Sequence, residues 1–162
     1  MGLPAVAFFE VVLAVHIMAV IVAFGVTFAY PIMFSVGARA DPRSLPLLHR
    51  VEYSIERRLV NPGLLIVLLA GIYLASKLHV WSAFYVQWGL GAIVVIGATV
   101  GAFMIPTAKR AESLAARDLT AGDAGAVSLS EEYRALARRL AAVGSLLSLL
   151  VLVTVYFMAT HT

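Results

Sequence analysis

FFEVVLAVHIMAVIVAFGVTFAYPIMF, residues 8–34, is the stretch that decides the fold. An apolar run of this length exceeds a soluble core helix and suffices to cross a bilayer, which takes about 20 residues. It carries two ionisable side chains, Glu10 and His16. An ionisable group in a membrane span is costly, and by default it marks a functional site. At 1.5 Å per residue, His16 lies roughly 9 Å beyond Glu10, inside the hydrocarbon. Six residues turn a helix through about 240°, so the two side chains lie on different faces and do not pair.

Three further apolar runs follow, at about residues 60–78, 84–105 and 140–160, so the chain reads as an all-α, integral membrane four-helix bundle in a single domain. Composition agrees: 62% of the 162 residues are hydrophobic and 13% are charged. Soluble domains carry about 25% charge, so much of this surface is expected to face lipid. With no cysteine there is no disulfide and no thiolate metal site. The net charge of +3 reflects topology rather than a nucleic-acid partner. Eleven of the twelve basic residues fall in the first and third connections, Arg39 to Arg58 and Lys109 to Arg139. The positive-inside rule then puts both connections in the cytoplasm and both termini outside. The N-terminus has no basic residue before its apolar stretch, so no cleaved signal peptide is expected.

The inner connections read as helical. In SLPLLHRVEYSIERRLV, residues 44–60, Leu45, Leu48, Ile55 and Leu59 fall near one stripe. This predicts an amphipathic helix lying on the inner surface; a helical lead-in to the second span accounts for the same pattern. Asn61 and Pro62 read as the N-cap and first turn of that span. The third connection is a long helical one, broken by turn-forming residues at 119–130 and restarted by a capping box, Ser128 with Glu131. Pro106 ends or kinks the third helix.

Small residues mark expected helix contacts: Gly71 with Ala75, Gly97 with Gly101, and Gly144 with Ser148. The Gly97–Gly101 pair suits either packing within the bundle or a homo-oligomer. Trp81, Tyr85 and Trp88 read as an aromatic interface belt. Gln87, Thr99, Ser145, Ser148 and Thr154 are expected to hydrogen-bond between helices.

Of the four histidines, His49, His79 and His161 read as solvated, with a weak outer cation site among His79, His161 and Glu10 conceivable. His16 is different. A neutral imidazole enclosed by helices can ligate haem or a metal, and it can equally hydrogen-bond a neighbouring helix. No HExxH motif, phosphate loop or nucleophile elbow is present.

His16, Phe24, Phe28, Pro31 and Phe34 resemble the opening helix of the bacterial four-span protoporphyrinogen oxidases, and ERRLVNPGLLIVLLAGIYL, residues 56–74, resembles their entry into the second helix. The wider superfamily includes copper-resistance D-type proteins and an uncharacterised integral membrane family of this size, which the chain resembles most. The resemblance implies a multi-pass protein of the bacterial inner membrane in which His16 is the axial ligand of a b-type haem. Where the oxidases tend to place a His-x-Lys pair, this chain has Tyr85 and Gln87, and it has no second histidine further along that helix. The resemblance therefore leaves catalysis open. A haem-binding bundle, an accessory subunit without cofactor and a porphyrinogen-oxidising enzyme are the readings it carries.

Overall fold

The helix that carries the second span does not begin at Asn61. In the computed structural model, which describes residues 3–121 and 128–160, one helical rod runs from Pro42 to Leu78. At 1.5 Å per residue its 37 residues reach about 55 Å, well beyond a hydrocarbon core of about 30 Å. The first connection is therefore continuous with the second span, as the lead-in reading has it. The third rod, Phe84–Thr120, is equally long, and the fourth, Glu131–Thr160, has 30 residues. The first apolar helix, Phe8–Ala40, completes a set of four helices long and apolar enough to cross a membrane. All secondary structure among the described residues is helical.

Each of the first three rods changes its winding just before a proline. A 3-10 turn, Val26–Ala29, separates α1 (Leu3–Gly25) from α2 (Tyr30–Ala40), which carries Pro31. A π turn, Glu56–Val60, separates α3 (Leu45–Ile55) from α4 (Asn61–Leu78), which carries Pro62. A second π turn, Val100–Met104, separates α5 (Phe84–Thr99) from α6 (Ile105–Ala121), which carries Pro106. Proline has no N–H and its ring collides with the carbonyl four residues back. A change of hydrogen-bond register absorbs that collision without ending the helix. Asn61 has helical dihedrals and caps nothing.

The last helix, α7 (Glu131–Thr160), starts two residues later than the capping box suggested. Ser130 is the cap: its hydroxyl accepts from the Tyr133 N–H at 3.3 Å. The carboxylate that a capping box takes from its own third residue comes here from another helix, because Asp118 Oδ2 accepts the Ser130 N–H at 2.8 Å. The expected turn at 119–130 falls largely on residues 122–127, outside the described residues.

The four rods meet differently at their two ends. Toward the basic end, α3 packs along α6, and α6 along α7. Here a buried cluster forms from Leu45, Met104, Ala111, Leu114, Ala115, Tyr133 and Leu140. Ion pairs tie its surface together, among them Arg50–Glu112 at 2.9 Å and Arg110–Glu132 at 2.7 Å. Toward the other end the helices pair, α1 with α4 and α5 with α7. Between the ends, Ala23, Phe24, Val60, Leu64, Ile96, Val100 and Val151 form the membrane core. Large apolar side chains cover the outside; Ile21 and Val94 are 63% and 67% exposed, as a lipid-facing surface requires.

Glycine marks some of these contacts and not others. A Cβ on Gly63 would stand 2.6 Å from that of Ala23, so glycine is what allows α1 and α4 to approach. Gly97 and Gly101 are different: nothing lies within 4 Å of where their Cβ atoms would be, so they do not pack this bundle. Nor do the polar residues of the later spans bridge helices as a group. Thr99 and Ser145 bond carbonyls of their own helices. Thr154 alone of that set bonds a side chain of another helix, accepting from Trp88 Nε1 at 3.1 Å. Trp88 also packs against the rings of Phe84 and Phe157, so it takes part in the α5–α7 contact.

Candidate functional site

Two buried imidazoles, at opposite levels of the bundle, are the candidates. The first, His49, was expected in solvent and is 3% exposed. The reason is which face α3 turns inward. The buried residues are Leu45, His49, Glu52, Glu56 and Val60, a stripe spaced by three and four residues. The stripe read from the leucines only borders this face: Leu45 is buried, Leu48 and Ile55 pack against the two clusters, and Leu59 is 38% exposed. Polar residues can face inward here because other helices supply their partners.

His49 Nδ1 donates to Glu52 Oε2 at 3.2 Å, and its Nε2 meets the Tyr133 hydroxyl of α7 at 3.1 Å. Phe34 of α2 covers the ring, with centroids 4.6 Å apart. One imidazole thus joins helices from the first, second and fourth rods. Both of its nitrogens are engaged, so it has no lone pair to offer a metal. Beside it, Glu56 is 5% exposed and has no ion-pair partner among the described residues. The hydroxyl of Tyr30, at the start of α2, is buried with no hydrogen-bond partner. This cluster was absent from the sequence reading. The signal for it was His49-x-x-Glu52-x-x-x-Glu56, a spacing that sets all three side chains on one helical face.

The second imidazole is His16, half-buried between α1 and α4. Its edge lies against Gly71, where a Cβ would come within 3.3 Å of Cε1 and 3.8 Å of Nδ1. A methyl at Gly71 would require the ring to shift by a few tenths of an ångström. Nδ1 is buried and makes no hydrogen bond of good geometry, although the ring lies close enough to the Val67 backbone of α4 to interact with it. A buried, unpaired imidazole nitrogen costs on the order of 1–3 kcal/mol relative to a satisfied one, so it calls for an explanation.

Among the described residues no ion pair joins the other sequence candidates. His79 is exposed at the end of α4, with φ 54°. Glu10 is exposed, and His161 lies outside the described residues. Among the described residues no group of three or more histidine, aspartate and glutamate side chains is arranged to hold a metal ion.

No curated protein and no solved structure matches this chain. Residues 10–162 match the family described as Predicted integral membrane protein (DUF2269), a match that takes in all four rods from Glu10 onward. The chain is a multi-pass integral membrane protein, and it belongs to that family.

Proposed function

We propose that this protein is a haem-binding bundle of the bacterial inner membrane, with His16 as axial ligand to a b-type haem. The observation that carries the reading is the orphaned Nδ1 of His16. Of the two buried imidazoles, His49 has both nitrogens engaged, whereas His16 keeps one unclaimed inside a span. Gly71 supplies the space the ring occupies. A haem bound there would supply one-electron exchange within the bilayer. The resemblance of residues 8–34 and 56–74 to the four-span oxidase and copper-resistance D-type superfamily supports the same ligand.

In this reading the basic end faces the cytoplasm and both termini lie outside, which the clustering of eleven basic residues supports. Gly97 and Gly101, open on their outer side, leave room for a second copy of the chain.

The test is optical. Protein purified from haem-replete cells shows a Soret band, and His16→Ala abolishes it while the protein still elutes as the wild type does. A colourless wild type, or a band unchanged in the variant, overturns the assignment. One observation favours a second reading, in which His16 only spaces helices in an accessory subunit: its ring sits in the tight α1–α4 contact against Gly71. His16→Gln separates the two, since an amide can replace a helix-packing imidazole but not a haem ligand. The oxidase reading needs more: the gene must restore growth to a strain lacking protoporphyrinogen oxidase.

A further inference from the structure

The outer surface of α1 and α4 carries an apolar groove of about 290 Å³ that ends on a cation. Val15, Met18 and Val22 form one wall, and Pro62 and Ile66 the other, with Arg58 at the basic end. Positions 58, 62 and 66 succeed one another at one-turn spacing, so the groove runs along the helix axes for about 12 Å. Its walls are open to the outside: Met18 is 55% exposed and Ile66 is 44% exposed. In a bilayer this face meets acyl chains, and Arg58 marks the level where the apolar span gives way to charge.

Arg58 differs from Arg50 and Arg57 in having no side-chain partner among the described residues. Arg50 is held by Glu112 at 2.9 Å, and Arg57 donates to the Tyr53 hydroxyl. Among the described residues, no carboxylate lies within ion-pair distance of Arg58. A second apolar groove, about 420 Å³, meets the first at Arg58 and leads only to the paired Arg50. The unpaired cation therefore stands at the mouth of an apolar channel that points into the bilayer. That arrangement matches an anion attached to a hydrocarbon chain, and a guanidinium takes a phosphate in a bidentate grip.

We propose that this groove is a binding site for an anionic phospholipid, its phosphate on Arg58 and one acyl chain between Val22 and Ile66. Basic positions flanking transmembrane helices select acidic lipids through such pairing. The site is independent of His16 and of any haem.

Native mass spectrometry of delipidated protein in detergent tests it, with dioleoyl phosphatidylglycerol and dioleoyl phosphatidylcholine as probes. The wild type is expected to retain the anionic lipid about tenfold more than the zwitterionic one, the effect of one charge-assisted pair. Arg58→Gln removes that preference, and Arg57→Gln keeps it. Ile66→Trp, which fills the groove, lowers retention of both lipids, and glycerol phosphate does not compete. Arg58 is exposed and unpaired, so its variant folds; an unchanged elution profile and helical circular dichroism verify this. Equal retention of the two lipids overturns the proposal, as does a preference that survives Arg58→Gln. A preference lost equally in Arg57→Gln, or competition by glycerol phosphate alone, overturns it too.

Discussion

His49 and His16 are the same side chain in two solvents. His49 sits where the rods extend past the apolar core, and there three helices converge on it. Glu52 and Tyr133 satisfy both nitrogens, and Phe34 covers the ring. His16 sits in the seam of two helices, faces a glycine, and keeps a buried nitrogen unpaired. The difference is one of available partners. A helix pair in a membrane offers mostly carbonyls that are already bonded along their own helices. A convergence of amphipathic helices offers hydroxyls and carboxylates. A polar residue is therefore structural where its neighbours complete it, and open to a ligand where they do not.

Removing His49 should show this most strongly. His49→Ala leaves Glu52 buried without its partner and Tyr133 without an acceptor. Leaving a buried carboxylate and a buried hydroxyl without their partner costs about 1–3 kcal/mol for each. His16→Ala removes a ring whose Nδ1 makes no hydrogen bond, so its cost is smaller. Unfolding midpoints of the purified variants, in detergent and without added haem, are expected to rank wild type, His16→Ala, His49→Ala from most to least stable. The reverse order would break the distinction between the two imidazoles.

The next effect separates two kinds of glycine. Gly63→Ala puts a methyl 2.6 Å from the Ala23 Cβ and should cost about 1–3 kcal/mol as α1 and α4 are forced apart. Gly97→Ala places its methyl in open space and should raise the intrinsic helix preference by up to about 1 kcal/mol. Opposite shifts of the unfolding midpoint are expected. A fall for Gly97→Ala in the isolated protein would mean that this face is covered by something other than lipid.

These contrasts explain what was legible in the sequence. The four crossings were, because apolar length is a property of each segment alone. His16 was singled out for the same reason: its cost depends on the lipid, not on a partner. His49 was misread because its burial depends on Tyr133, 84 positions away, and on α6 filling in behind. Nothing local says which of two faces of α3 turns inward. The glycines failed as contact markers in part, since a GxxxG spacing is identical on a packed face and on an open one. Pro62 was read as a helix start and Pro106 as an end or a kink, whereas the π turns before them carry both helices through.

A smaller effect tests whether the basic end is held by its caps. Ser130→Ala deletes the hydroxyl that accepts the Tyr133 N–H, at about 1 kcal/mol. It also loosens the residue that holds His49 Nε2, so its cost should exceed that of an ordinary surface cap. In a double-mutant cycle with His49→Ala, the two losses are expected to be less than additive. Additive losses would mean that the cap and the imidazole do not act through Tyr133.

The smallest effect lies at the other end, at the close of α4. His79 closes α4 with φ 54° and ψ 35°, its N–H donating to the Ala75 carbonyl. A residue with a Cβ in this conformation carries about 1–2 kcal/mol of strain, and glycine carries none. Glycine also has more freedom to lose on folding, about 0.5–1 kcal/mol, so His79→Gly should gain only a fraction of a kilocalorie. The gain is expected as a slight rise in the unfolding midpoint, with the absorption spectrum unchanged. A fall would mean that the exposed His79 ring makes a contact on this face that the isolated chain does not contain.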